Sequence, residues 1–406
     1  MTFDIANKFS RRTNAIKESM ILALNARAKA MQAAGKKLIN LTVGEPDFET
    51  PDHIKQAAVA ALAEGKTRYT PVEGVPELKA AIVEKFKREN DLIYKPDQVM
   101  ASTGGKQVIF NALMATLNPS DEVVMPTPCW TSYFEIVKLF EAVPVSVPCP
   151  IGQGFKMSPA ALEKAITPKT KWLMINSSNN PTGAVYTKEE LQALAAVLLR
   201  HPHVMVMTDD MYEHLVYDGL PFFTLPQIEP KLYERTLIVN GVSKAYAMTG
   251  WRMGISAGPA PLIKEMTKLQ SQSTSNPCSV TQWATVAALN GPKDFLHLWR
   301  AKFTERRDAI VDALNKVPGL TCPKPQGAFY VYPSCANWLG QKTPEGKILQ
   351  DDGDVAAYLL ESAEVTVVPG VAFGQGPNFR ISYATSLDLL QEAGRRITLA
   401  AGRLSR

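Results

Sequence analysis

From Val99 onward, short apolar runs alternate with amphipathic stretches of helical length, and this rhythm limits the fold more than anything else in the chain. The apolar runs are Val99–Ser102, Glu122–Met125, Val143–Val147, Lys171–Asn176, Val204–Thr208, Thr236–Asn240 and Gly254–Ala257. Each is too short for a helix and is rich in β-branched or aliphatic residues, so each reads as a buried strand. Helices are expected between them, from Gly105, from Trp130 and after Thr187, where Thr187 and Glu190 form a capping box. Repeated βα units of this length predict an α/β fold with a mostly parallel sheet in three layers.

The flanks differ. Ser19–Gly35 carries apolar residues at helical spacing and stops at a glycine. Leu38–Leu41 is a short strand leading into the turn-rich Val43–Phe48. Thr50 is expected to cap a helix with Pro51 in its first turn, and Pro76 opens the next, reaching about Asn90. After Pro277 the rhythm changes to long helical stretches, Gln282–Asn290 and Asp294–Val317, followed by strand candidates at Ala328–Tyr332, Val365–Val368 and Phe379–Tyr383. These predict an N-terminal arm (1–16), a smaller α+β domain assembled from both termini (17–50 and 296–406) and a large domain (51–295).

Composition narrows the function. With 44 Lys and Arg against 39 Asp and Glu, the net charge is +5, spread without blocks of one sign. That argues against nucleic acid as a partner and suits small anionic substrates. The five cysteines form no CxxC pair and are read as reduced thiols in a cytoplasmic protein, with neither a disulfide framework nor a metal site. No apolar run is long enough to cross a bilayer, and no signal-like start is expected.

Polar residues stand where predicted strands end. Lys244 follows the run Thr236–Asn240 and Gly241, on the loop at the strand's carboxyl end. In an open parallel sheet that edge binds ligands. A half-buried amine there titrates lower than a free lysine and can form a Schiff base with an aldehyde. Asp209 closes another strand. It is either a turn aspartate or a buried acid needing a cation such as a protonated pyridine nitrogen. Asn180, before Pro181, is a turn residue or a ligand. Gly104-Gly105 before a helix could be a steric necessity or a phosphate seat at a helix N-terminus. Trp130 would fill a core or stack on an aromatic ring.

Taken together, Gly44-Glu45-Pro46-Asp47-Phe48, Tyr69–Gly74, Gly104-Gly105-Lys106-Gln107, Asn180-Pro181-Thr182-Gly183, Asp209 with Tyr212, Ser243-Lys244 with Arg252, and Phe379–Tyr383 closely resemble class I aminotransferases of fold type I. These enzymes depend on pyridoxal 5'-phosphate. Within them the likeness is greatest to bacterial aspartate aminotransferases, some of which accept prephenate. The resemblance implies that Lys244 holds the cofactor and later moves the α-proton, that Asp209 pairs with the ring nitrogen, and that Tyr212 and Asn180 bond the phenolic oxygen while Trp130 stacks on the ring. Gly104, Gly105, Lys106, Ser243 and Arg252 would surround the phosphate, with Tyr69 reaching in from the other subunit of a homodimer. Many relatives place a serine where this chain has Gly241. Arg380 would bind the substrate α-carboxylate, helped by the Gly44 backbone. Lys106 and Lys17 are the cations available for a distal carboxylate. The implied activity is ping-pong transamination from aspartate or glutamate to a 2-oxoacid. The alternatives are an alanine, branched or aromatic donor, a regulator that keeps the fold, and a lyase of the same cofactor class.

Overall fold

The protein is described by a computed structural model over residues 8–16, 20–33 and 35–405. Among them the strands are β1 (Ile39–Asn40), β2 (Val99–Ser102), β3 (Glu122–Thr127), β4 (Val143–Pro148), β5 (Thr170–Asn176), β6 (Met205–Asp209), β7 (Thr236–Gly241), β8 (Gly254–Ala257), β9 (Tyr330–Val331), β10 (Val365–Thr366), β11 (Val368–Pro369) and β12 (Phe379–Ser382). Seven of these form one sheet in the order β2-β8-β7-β6-β5-β3-β4. All its pairings are parallel except those of β8, which is antiparallel to β2 and β7.

Residues alternate between the two faces, as the two-residue period of a strand requires. Val99, Ala101, Ile238 and Ile255 share a core with helices Asp52–Ala63, Pro76–Asn90 and Ser279–Asn290. Their neighbours Met100, Leu237 and Val239 belong to a second core with helices Gly105–Thr116, Thr131–Leu139 and Ala260–Ser271. Val124, Leu173, Ile175 and Val206 pack against Pro159–Ala165 and Lys188–Arg200. With both faces covered, the strands are apolar throughout, and each fully buried aliphatic side chain contributes roughly 1.5–3 kcal/mol. This is the expected three-layer α/β fold.

A further core gathers Phe303, Ile310 and Leu314 of helix Asp294–Asn315, Leu390 and Ile397 of helix Leu387–Ala401, and Val331 and Ile381 of the antiparallel β11-β12-β9 sheet. Strand β1 joins it from the other end of the chain by pairing in parallel with β10, Ile39 opposite Val365. Tyr212 and Leu215, which follow β6, lie in this same core and tie it to the large sheet.

The Thr187–Glu190 capping box forms as expected, with the Glu190 N–H donating to Thr187 Oγ1 at 3.2 Å and the Thr187 N–H to the Glu190 carboxylate at 2.8 Å. Thr50, by contrast, is no cap. Pro51 holds the N-cap position of helix Asp52–Ala63 without a side-chain bond. Thr50 is buried instead, donating to the Ala247 carbonyl at 2.7 Å and accepting from Trp251 Nε1 at 3.1 Å. A distant loop competes successfully for a hydroxyl that local preference would give to the helix.

Candidate active site

The carboxyl ends of β5 and β6 stand side by side, Asn176 opposite Asp209, and β7 ends next to them at Gly241. Strand β3 sends the chain outward to β4 and then back to β5 on its other side, so the connections reverse at β3 and β5. A crevice opens at such a reversal. It is a cavity of about 340 Å³ lined by Thr42, Gly44, Gly105, Lys106, Ile109, Trp130, Tyr133, Asn176, Asn180, Asp209, Met211, Tyr212, Ser243, Lys244, Thr249, Arg252, Tyr330 and Arg380.

Asp209 is 7% exposed. Tyr133 donates to its Oδ2 at 2.6 Å, and the Met211 N–H to its Oδ1 at 3.3 Å. Asn176 donates to the Asp209 carbonyl at 2.7 Å and accepts from the Asn180 N–H at 2.9 Å, which locks β5, β6 and the Asn180 loop together. Burial raises the Asp209 carboxyl above its ordinary value, and the Tyr133 and Met211 donors and the charge of Lys244 only partly oppose this. Tyr133 is itself pushed far upward, by burial and then by Asp209, so its phenol keeps the proton it donates.

Lys244 donates from Nζ to the Gly44 carbonyl at 2.6 Å, across 200 residues of sequence. Burial lowers it to about 8, with Arg380 and Arg252 acting in the same direction and Glu45 and Asp209 against it. An amine so placed is unprotonated far more often than an ordinary lysine near neutral pH.

At the far side, Gly104 precedes helix Gly105–Thr116 with φ +88°. A Cβ there would run into the Arg252 guanidinium, and one at Gly105 would lie 2.5 Å from Met211 Cε. The positive φ of Gly104 favours glycine there, whereas Met211 could move aside for a side chain at Gly105; the Gly105 and Lys106 N–H groups at the start of the helix point to where an anion would sit, while the Gln107 N–H bonds the Gly104 carbonyl at 3.0 Å. Lys106 Nζ lies 4.9 Å from the centre of the Trp130 ring. Burial, and then Arg252, lower its pKa. Arg252 donates to the Thr249 carbonyl at 2.9 Å. At Gly241, a Cβ would come within 2.9 Å of the Met253 carbonyl and 3.3 Å of Gly254 Cα, so the backbone leaves no room for a serine. Ser243 lines the cavity two residues later.

Arg380, on β12, is 3% exposed. It donates from Nη1 to Asn180 Oδ1 at 2.9 Å and from Nη2 to the Thr42 carbonyl at 2.7 Å, and its Nε finds no partner among the described residues. Its guanidinium lies 4.5 Å from the Tyr330 ring centre and 5.1 Å from that of Phe373. No carboxylate among the described residues pairs with it. Tyr330 and Tyr212 share a hydroxyl–hydroxyl bond of 3.0 Å.

Of the residues expected from sequence, Lys244, Asp209, Tyr212, Asn180, Gly105, Lys106, Trp130, Ser243, Arg252, Gly44 and Arg380 all line this one cavity, and Gly104 backs it through Arg252. Tyr69 does not line it; it is 92% exposed. Lys17 lies outside the described residues. Sequence reading missed Thr42, Ile109, Tyr133, Asn176, Met211, Thr249 and Tyr330. Asn176 closes its strand as Asp209 does and could have been noticed for that reason. Tyr133, inside a helix, gave no signal.

Comparison with known proteins agrees with this geometry. The family model for aminotransferase class I and II matches residues 36–397. The chain is 55% identical to an aspartate aminotransferase of Rhizobium meliloti over 97% of this chain and 96% of that protein. It is also 55% identical to an aspartate/prephenate aminotransferase of Cereibacter sphaeroides, over 96% and 98% respectively. Among solved structures, the Rhizobium meliloti aspartate aminotransferase superposes with a TM-score of 0.97 at 53% identity, covering all of both chains. The Thermus thermophilus aspartate aminotransferase with maleate superposes with a TM-score of 0.90 at 42% identity, over 97% of this chain and 99% of that one. The chain belongs to the class I and II aminotransferases.

Proposed function

We propose that the protein transfers the amino group of L-aspartate, or of glutamate, to a 2-oxoacid (2-oxoglutarate or oxaloacetate), with prephenate as a further acceptor. It does so in two half-reactions with pyridoxal 5'-phosphate, as a cytoplasmic homodimer. The observation that carries this reading is Arg380, a buried guanidinium without a carboxylate partner among the described residues, facing a cavity that also holds a buried lysine and a buried aspartate. A substrate bringing a carboxylate completes its hydrogen bonds.

The residues present suit the cofactor. Asp209 is a buried acid that lacks a full counter-charge, and a protonated ring nitrogen would supply one. The open N-terminus of helix Gly105–Thr116, with Arg252, Ser243 and Lys106 beside it, would hold the phosphate, joined by Tyr69 of the partner subunit. Trp130 would cover the ring, and Tyr212 with Asn180 would bond its oxygen. When bound, pyridoxal 5'-phosphate supplies an electron sink for the charge left at the substrate α-carbon.

The chain's own residues do the rest. Lys244 holds the cofactor and afterwards carries the α-proton on Nζ, a task matched by its lowered pKa. Asp209, whose ionised form the Tyr133 hydrogen bond favours, would pair with the ring nitrogen and hold its proton. Arg380 grips the α-carboxylate, with Asn180 and Thr42 fixing its plane and the Gly44 backbone alongside. Lys106 meets the distal carboxylate of a dicarboxylic substrate; that the Thermus relative was solved with maleate, a dicarboxylate, supports the substrate class. Lys17 is a second cation for that role. Residues 51–295 would form the cofactor-binding unit, and 17–50 with 296–406 the smaller one, after an arm at 1–16.

The test is the visible spectrum of the purified protein with pyridoxal 5'-phosphate. The bound band should disappear on adding aspartate and return with 2-oxoglutarate or prephenate. A band indifferent to aspartate would refute the donor. Side-by-side rates with alanine, leucine and phenylalanine separate the rival donors, and a faster rate with any of them would overturn the choice.

A further inference from the structure

Behind the cavity lies a buried ionic network that none of the roles above employs. Lys85, on helix Pro76–Asn90, is 1% exposed, and a lysine so deep in a core is rare unless paired. Its Nζ pairs with the Glu213 carboxylate, donates to Asn90 Oδ1 at 2.7 Å and stands 3.7 Å from Glu89. Glu213 accepts from Asn90 Nδ2 at 3.0 Å and from Asn240 Nδ2 at 2.8 Å. Asn240 in turn accepts the Gly241 N–H at 2.7 Å, at the exit of β7 toward Lys244. Glu213 itself follows Tyr212. One carboxylate thus joins the two segments that bring Tyr212 and Lys244 into the cavity.

We propose that Lys85 is a positioning residue of the active site: by holding Glu213 it fixes, through Asn240, the segment Gly241–Lys244 and, along the chain, Tyr212. The proposal rests on Lys244 being the reactive amine. Alternatives for the cluster are weaker. Glu89, Glu213 and His214 bring ligand-type atoms within 4.8 Å of one another, but the cation among them is already supplied by the chain, as Lys85 and Lys293. Burial alone would raise the Glu213 carboxyl, yet Lys85 and His214 hold it below its ordinary value, so it stays an anion able to accept both amides. Without the ammonium, the buried charge must recruit water or a proton, and either change disturbs its hold on Asn240.

Amide hydrogen exchange of the cofactor-free and cofactor-loaded protein tests this. In Lys85→Met, residues 211–214 and 241–246 should exchange at least about tenfold faster, while β5, on the same sheet, keeps its wild-type rate. The double variant Lys85→Met/Glu213→Gln, which removes the uncompensated charge but keeps an acceptor for Asn240, should return both segments to near wild-type protection. The pH midpoint of the bound cofactor's visible band should move in the single variant and return in the double one. Wild-type exchange in Lys85→Met, or equal acceleration in β5, would overturn the proposal. If Lys85→Met does not fold, Asn240→Ala leaves the Lys85–Glu213 pair in place and should loosen 241–246 alone; unchanged exchange there is equally fatal. Should the wild-type protein show no cofactor band at all, the functional reading fails, and exchange of the cofactor-free protein still decides the role of Lys85.

Discussion

Replacing Tyr133 by phenylalanine isolates one bond at the centre of the site. Tyr133 is buried in helix Thr131–Leu139 and packs edge-on against Trp130, with ring centres 5.5 Å apart and planes at 86°. Phenylalanine keeps that packing and deletes only the donor to Asp209 Oδ2 at 2.6 Å. A hydrogen bond to a charged partner contributes about 1.5–3 kcal/mol. Because the bond favours the ionised carboxylate, its loss should raise the Asp209 carboxyl still further. A carboxylate that gives up its charge more readily serves the ring nitrogen less well. Aspartate turnover (kcat/KM) should fall about 10- to 150-fold by the same free energy. The sign of the pH dependence follows. Protonation of Asp209 is what the mutation favours, so the loss should be greatest at acid pH and shrink as pH rises. Steady-state rates with aspartate and 2-oxoglutarate across pH, together with the pH titration of the visible band, read both effects. A folded Tyr133→Phe protein with wild-type kcat/KM and an unmoved titration would refute the assignment of Tyr133 and weaken that of Asp209.

Arg380→Lys exchanges a planar fork for a point charge and loses the geometry set by Asn180 and Thr42. It should lower kcat/KM by about 10- to 150-fold, one charge-assisted bond's worth, and equally for aspartate and alanine, since both carry the α-carboxylate; a loss confined to aspartate would contradict its role. Lys106→Gln should weaken aspartate far more than alanine, and equal losses would leave Lys106 serving only the phosphate. Lys244→Met should abolish transamination while making the cofactor-free protein more stable in urea at neutral pH. The depression from the ordinary 10.5 to about 8 corresponds to about 3 kcal/mol at most of unfavourable burial of the charged amine. A base with a lowered folded-state pKa binds fewer protons folded than unfolded between those two values. The variant's advantage should therefore be full below pH 8 and fade toward pH 10.5; a constant advantage, or none, would count against burial as the cause.

Much of this protein could be read from the chain because its strands are buried on both faces. Continuous, largely apolar runs such as Thr236–Gly241 leave little choice of structure, and the turn that follows must carry the polar residues that come next, here Ser243 and Lys244. The same reasoning reached Asp209, Asn180 and the Gly104-Gly105 turn, and the motif resemblance added Tyr212 and Arg380. It failed where a local rule was overruled from a distance. Thr50 looks like a cap, but Ala247 and Trp251 claim its hydroxyl.

The sequence by itself determined the α/β architecture, the edge of the sheet where the cavity opens, and the identity of most groups lining it, because period and turn chemistry are local properties. Only the tertiary structure decided what those groups experience. The lowered pKa of Lys244 comes from burial modulated by Glu45, Arg380, Arg252 and Asp209, from four separate parts of the chain. The hold of Tyr133 on Asp209 spans 76 residues, and that of Lys244 on Gly44 spans 200. Gly241 stands where the motif resemblance leads one to expect a serine, and the Met253 carbonyl occupies the space a side chain would need. Desolvation and Coulomb forces depend on distances in space, and no spacing along the chain encodes them.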